Sequence, residues 1–179
     1  MKKILAFALA LCLALSLAAC GGAAASSAPA ASLPENLEEI MDASLAGFAE
    51  DELPMMPTAE DLELMHPGNT GKYFQLPADM ADDESVYYTG VERAAYPDAI
   101  IAEPMMGPVP FRIVLLRAES AEAAAELAKN VEANADPRWN ICTEAEKVAV
   151  VTVEDVVLLA MTDASIVDKV VANFQGLAA

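Results

Sequence analysis

Residues 146–176 read EKVAVVTVEDVVLLAMTDASIVDKVVANFQG and carry the clearest structural signal in the chain. Two β-branched apolar runs, Glu146 to Val153 and Val156 to Thr162, flank the polar pair Glu154-Asp155, as is typical of a β-hairpin. Asp163 then stands at the N-cap position of a helix that Gly176 ends. The apolar residues expected on one side of that helix are Ile166, Val167, Val170, Val171 and Phe174. The stretch therefore predicts a strand, a turn, a second strand and a helix.

A similar order of elements precedes this stretch. The apolar runs Ala99 to Glu103 and Val109 to Arg117 are separated by a loop rich in proline, which predicts two more strands. Ser120 caps a long helix that reaches about Ala135, and Asp136-Pro137 stops it.

The combined order predicts an α+β domain, a two-layer sandwich with a mainly antiparallel sheet and helices packed on one face. If the strands joined by the helix between Arg117 and Glu146 are parallel, their connection is a right-handed crossover.

The N-terminal half gives weaker signals. A first helix is expected to begin near Pro34, because Ser32 and Glu35 have the spacing of a capping box. Thr58 with Asp61 predicts the cap of a short second helix that ends at Pro67. Residues 72–98 show no periodicity that favours either a helix or a strand.

Composition limits the class of protein. The chain has 179 residues, with 28 Asp+Glu against 10 Lys+Arg and a formal net charge of −18. That charge argues against a partner made of nucleic acid, because phosphate backbones are bound by clustered Lys and Arg. The length favours one domain, which we expect to cover residues 35–179.

The first 19 residues have the three parts of a secretion signal. Lys2-Lys3 precede an apolar run from Ile4 to Leu15, which at about a dozen residues is shorter than the roughly 20 that cross a bilayer as a helix. The next residues, Leu17-Ala18-Ala19-Cys20, resemble the bacterial lipobox. Residues 20–34 follow as a flexible tether rich in Ala, Ser and Gly.

The lipobox resemblance implies cleavage before Cys20 and transfer of a diacylglyceryl group to its sulfur, usually with an added palmitate on the new amino terminus. It therefore implies a lipid anchor on the extracytoplasmic face of the cell membrane. Two acyl chains, at about 0.8 kcal/mol per buried CH₂, hold a protein stably where one chain holds it only reversibly.

Three further segments carry a family resemblance. Pro-Met-Met-Gly at 104–107, DPRWNIC at 136–142 and EAEKV at 144–148 make the chain similar to an uncharacterised family of bacterial putative lipoproteins, known only as a domain of unknown function. The resemblance extends roughly from Leu37 to Phe174. It implies an anchored extracytoplasmic domain and supplies no catalytic residues.

The sequence offers little that indicates catalysis or a cofactor. His66 is the only histidine, which excludes metal sites and relays built from several His. The acidic runs Glu50-Asp51-Glu52 and Asp82-Asp83-Glu84 lack the spacing of a calcium loop, and no glycine-rich nucleotide motif is present. We therefore expect no catalytic residues, no metal and no cofactor.

Four residues are candidates for contact with a partner or ligand: Trp139, Arg138, Met105 and Met106. Trp139 either anchors a partner or seals the edge of the core. The pairs Met55-Met56 and Met105-Met106 each follow a proline, and their thioethers either bind soft Cu(I) or fill irregular apolar gaps. Cys142 is expected to be buried beside a strand.

The leading hypothesis is a non-enzymatic lipoprotein, anchored to the membrane through Cys20, that binds a protein or small ligand at the cell envelope. One alternative is an accessory or solute-binding component of a transport system. The other is a small hydrolase that uses His66 or a pair of carboxylates, which requires those side chains to converge in a cleft.

Overall fold

The strands at residues 112–117 and 156–162 lie inside the sheet and are among the most deeply buried parts of the molecule. The other elements pack around them. The computed structural model describes residues 32–49, 51–105, 109–140 and 142–178. These residues belong to a unit that spans Ala31–Ala179. Along the chain the elements are α1 (Leu37–Ser44), α2 (Ala59–Met65), β1 (Phe74–Gln75), α3 (Asp82–Thr89), a 3₁₀ turn (Arg93–Ala95), β2 (Asp98–Ala102), β3 (Arg112–Arg117), α4 (Ala121–Asn134), β4 (Lys147–Val153), β5 (Val156–Thr162) and α5 (Ala164–Gly176).

The five strands form one sheet in the order β1-β2-β3-β5-β4, and every neighbouring pair is antiparallel. Val153 lies opposite Val156, so Glu154 and Asp155 form the two-residue turn of the predicted hairpin. Glu154 takes a φ of 52°, as tight hairpin turns require. The α+β class, the antiparallel sheet and the β4–β5 hairpin are confirmed.

Helices cover both faces of the sheet, whereas the two-layer prediction placed them on one. Successive side chains of a strand point to opposite faces, and on β3 Ile113 and Leu115 pack with α1 and α5, while Val114 and Leu116 pack with α4. Strand β5 is buried along its whole length. The continuous apolar runs therefore reflect burial on two faces, which gives a helix, sheet, helix layering.

The helix caps differ in part from the prediction. Helix α1 begins at Leu37, because the side chain of Asn36, and not that of Ser32, accepts a hydrogen bond from the backbone N–H of Glu38 at 2.8 Å. The capping box of Thr58 and Asp61 at α2 is present, and Ser120 caps α4 by accepting from the N–H of Ala123 at 3.2 Å. Among the described residues, no helix is both long enough and apolar enough to cross a membrane.

A glycine fixes the end of α3. Gly90 has a φ of 81°, and a Cβ added there would lie 3.3 Å from the backbone carbonyl carbon of Asn134. Replacing Gly90 with alanine should lower the free energy of unfolding by about 1 to 2 kcal/mol, because residues with a Cβ disfavour the left-handed region. Urea unfolding measures the change.

Gly176 at the end of α5 is the matched control. A Cβ there would meet open space and the backbone is not left-handed, so Gly176→Ala should leave stability unchanged or raise it by up to about 1 kcal/mol. Equal losses in the two variants would contradict the conformational argument.

Candidate ligand cleft

A cleft of about 170 Å³ opens beside the end of β2, and we refer to it as the methionine cleft. Its walls come from segments that are distant in sequence: the loop before α2, the end of α2, strand β1, the end of α3 and the residues after β2. The side chains that define it are Met56, Met65, His66, Phe74, Tyr88 and Met105. Its volume is close to that of an engineered cavity of about 150 Å³ that accepts benzene.

Aromatic rings form one wall of the methionine cleft. The imidazole of His66 stacks on Phe74, with 3.6 Å between the ring centroids and 16° between the planes. Phe74 meets Tyr88 edge to face at 5.5 Å, and Tyr88 meets Tyr87 in the same way at 5.0 Å. Each ring therefore braces the next, so the wall is preformed.

Burial governs the acid–base properties of this wall. Desolvation lowers the pKa of His66, although the carboxylate of Glu84 opposes that shift. Burial also raises the pKa of the Tyr88 hydroxyl, and the nearby charge of Glu103 adds to the effect. Both rings are consequently held in their neutral forms near pH 7.

A fully buried arginine lies behind the tyrosines. The guanidinium of Arg112 donates to both carboxylate oxygens of Glu103, at 2.7 and 3.2 Å, and to the carbonyl oxygen of Tyr87 at 2.8 Å. Its central carbon lies 4.7 Å from the ring centroid of Tyr87, 5.2 Å from that of Tyr88 and 4.8 Å from that of Trp139. The buried Arg112 side chain therefore supports the two tyrosines from behind. It also forms an ion pair with Glu103, whose carboxylate lines the cleft.

Two lining residues of the cleft, Lys72 and Tyr73, belong to a polar cluster around Asp42. The hydroxyl of Tyr73 and the ammonium of Lys72 each donate to the same oxygen of Asp42 at 2.6 Å. Burial alone would raise the pKa of Asp42, but these two donors together outweigh it and hold the pKa below its ordinary value. The carboxylate thus ties α1 to the chain just before β1.

Methionine side chains surround the mouth of the cleft. Met65 is 41 % exposed and Met105 is 47 % exposed, while Met56 is half-buried and packs against the core cluster that includes α1 and α5. Met55 is 89 % exposed and does not line the cleft, although it precedes Met56 in sequence. The side chains of Met65 and Met105 are therefore partly exposed to water at the cleft. Packing against neighbouring residues stabilises them less than it stabilises a buried methionine.

The sequence-derived contact candidates fall in different places. Met105 lines the methionine cleft, and Met106 lies outside the described residues. Trp139 is buried in the core, with its ring against Arg112, and it lines a second hollow together with Arg138, Tyr87 and Tyr88. The exposed guanidinium of Arg138 lies 3.6 Å from the carboxylate of Glu144.

Cys142 is exposed, so the expectation that it is buried is wrong. The strand that was expected to cover it begins only at Lys147, which leaves Cys142 in a turn. Cys20 lies outside the described residues, as do the predicted leader and most of the predicted tether.

The groups that a hydrolase would need do not form a relay in the part of the chain that the structure describes. Among those residues, no hydroxyl, thiol or carboxylate is hydrogen-bonded to His66, and no group of three His, Cys, Asp or Glu could hold a metal ion. Glu103 lines the same cleft, but its carboxylate is already bound by Arg112.

Sequence reasoning missed the side chains that build the cleft wall, namely Tyr87, Tyr88, Glu103 and Arg112. One signal was available, because Arg112 interrupts an apolar run at the start of a strand. A charged residue in a buried strand needs a partner and marks a specific local structure. Comparisons with protein-family models, with curated proteins and with solved structures find no match to this chain.

Proposed function

We propose that this protein is an extracytoplasmic lipoprotein, anchored to the membrane through Cys20, whose folded domain captures a small ligand in the methionine cleft. The observation that carries the ligand-binding part is the cleft itself: a preformed aromatic wall with partly exposed methionines at its mouth. Concave sites that combine apolar walls with a few placed polar groups are where small molecules bind.

The cleft combines a rigid side and an adaptable side. Tyr88 and Phe74 are held by neighbouring rings and, behind the tyrosines, by Arg112. Met65 and Met105 have unbranched, flexible side chains that can repack around an occupant. A rigid wall reduces the cost of ordering the site, while flexible thioethers close over the ligand.

Charge restricts the ligand further. The formal net charge is −18, and Glu103 adds a carboxylate at the cleft. The field of such a protein raises the local concentration of cations and lowers that of anions. We therefore expect neutral or positively charged ligands and not phosphorylated or carboxylated ones.

A thermal-shift screen tests the ligand-binding part of the proposal. The full chain in detergent is heated with small neutral and cationic aromatic compounds and with soft metal ions. A ligand present at 100 times its dissociation constant should add about 2.7 kcal/mol to the stability of the folded state. The fluorescence of Trp139 provides a second readout, because its ring contacts the arginine that supports the cleft wall.

Two lysine variants locate the bound ligand. Met105→Lys places a positive charge at the mouth of the cleft, which repels a cationic ligand and makes the apolar mouth polar for a neutral one, so it should abolish the shift; Met55→Lys places the same charge on an exposed side chain outside the cleft and should leave the shift intact. A shift that survives Met105→Lys, or a screen in which the wild-type chain shows no shift with any compound, would contradict the proposal.

A further inference from the structure

We infer that the ligand of the methionine cleft is Cu(I), held by the thioether sulfurs of Met56, Met65 and Met105 together with the imidazole of His66. This inference rests on the proposed function, because it requires that the cleft hold a ligand. It adds the chemical class of that ligand.

The four side chains come from three separate segments of the chain. Met56 belongs to the loop before α2, Met65 and His66 lie at the end of α2, and Met105 follows β2. All four line the same cavity of about 170 Å³. The fold thus gathers at one place side chains that are up to 49 positions apart in the sequence.

Core packing accounts for several methionines, and in part for Met56, which packs against the core, but it does not account for Met65 and Met105. Met41 and Met161 are completely or almost completely buried and fill the core. Met65 and Met105 are 41 % and 47 % exposed, so much of each side chain contacts water. The thioethers of Met65 and Met105 are therefore not fixed by core packing, and both line the cavity.

Ligand type selects the metal. Thioethers are soft, neutral donors that suit Cu(I), and imidazole is also a good ligand for copper. Zinc sites in proteins are built from Cys, His, Asp and Glu, and no set of three such residues is found among the described residues. A soft monovalent ion is the metal that fits this donor set.

Among the described residues, no side-chain hydrogen bond is found at the imidazole nitrogens of His66. The imidazole stacks face to face on Phe74, so the contact uses the ring face and not the ring edge, where both nitrogens lie. Stacking also fixes the plane of the imidazole. The methionines have three rotatable side-chain bonds, counting Cα–Cβ, and can bring sulfur to a metal at that edge.

Competition with a chromophoric Cu(I) chelator tests the inference under anaerobic conditions. The full chain carries Cys142→Ser and any other free thiol is alkylated, because the thiol of Cys142 is exposed and would bind Cu(I) itself. We expect the protein to take one Cu(I) per chain from the chelator, and to take no Zn²⁺ in a parallel titration. X-ray absorption should show sulfur and nitrogen neighbours around the copper.

Leucine variants separate coordination from packing, because leucine keeps the apolar volume and removes the sulfur. Met65→Leu and Met105→Leu should each weaken Cu(I) binding about tenfold or more, since even outer-shell changes at metal sites cost 10- to 100-fold. Met55→Leu should leave the affinity unchanged, because Met55 does not line the cleft.

Two outcomes would overturn the inference: a Cys142→Ser chain that loses Cu(I) to the chelator, or leucine variants in that background that bind Cu(I) as tightly as the Cys142→Ser chain itself. If the thermal-shift screen nevertheless finds an organic ligand that Met105→Lys excludes, the proposed function stands and only the copper assignment fails. If no probe binds in either experiment, both fail.

Discussion

Replacing Arg112 with methionine should lower the free energy of unfolding by about 3 kcal/mol, the low end of the range for breaking a buried ion pair. The guanidinium is completely buried, donates to Glu103 and to the carbonyl oxygen of Tyr87, and contacts three aromatic rings. Methionine fills part of the space but leaves the carboxylate and the carbonyl without their donor. The Glu103 side chain is 30 % exposed and can turn toward water, which limits the loss.

Urea unfolding of Arg112→Met measures this loss, and Lys129→Met is its control. Lys129 pairs with Glu126 at 2.8 Å on the surface of α4, with both side chains largely exposed, and such pairs contribute roughly 0 to 1 kcal/mol. Adding Glu103→Gln to Arg112→Met should restore part of the stability, because it removes the unpaired charge. A loss below about 1 kcal/mol in Arg112→Met would show that the buried ion pair does not hold the cleft wall.

The same arginine variant connects stability with the cleft. Tyr87 and Tyr88 are supported from behind by Arg112, so its removal should loosen the wall and weaken ligand binding even in molecules that remain folded. Measuring binding well below the unfolding midpoint separates the two effects.

The C-terminal half could be predicted because its signals are local. Glu154-Asp155 lies directly between two apolar runs, and Ser120 and Asp163 directly precede the helices that they open. The layering could be predicted less well. The run from Val156 to Thr162 has no polar alternation, and short runs of this kind do not reveal whether one or two faces are covered.

Helix α3 was missed because its buried face is polar. Its buried residues are Ser85 and Thr89, whose hydroxyls hydrogen-bond to the carbonyl of Val91, and the Ser85 oxygen also lies 2.7 Å from the hydroxyl of Tyr96. The sequence of such a helix shows no periodic spacing of apolar residues. Its stability depends on hydrogen bonds to residues outside the helix, which the local sequence does not reveal.

The candidate site could be predicted only in fragments. The sequence alone draws attention to the methionine pairs and to His66, the single histidine. Thioether chemistry gives two interpretations of the methionines, which are Cu(I) binding and packing. Their convergence on one cleft depends on β1 pairing with β2 and on the position of α2, which bring residues 56, 66, 74 and 105 together. Long-range pairing of this kind has no signal within a single segment.

Under the proposed anchoring through Cys20, replacing Cys20 with serine should abolish attachment of lipid and should block removal of the predicted 19-residue leader. Serine has no sulfur to accept a diacylglyceryl group. Metabolic labelling with a radioactive fatty acid and the mass of the isolated chain measure the two steps separately. The wild-type chain should carry the label and lack residues 1–19. The Cys20→Ser chain should carry no label and should retain residues 1–19.

An unprocessed leader can itself hold a chain at the membrane, so membrane partition needs a second variant. In that variant an ordinary cleavable secretion signal replaces residues 1–19 and serine replaces Cys20. This chain should be released in soluble form, because it lacks the two acyl chains of the proposed anchor and an acidic domain of this kind is repelled by anionic headgroups. Cys142→Ser alone, which removes an exposed thiol elsewhere, should stay lipidated and membrane-bound. Fatty-acid label on the Cys20→Ser chain, or its loss from Cys142→Ser, would place the anchor on another residue and would refute the assignment of Cys20.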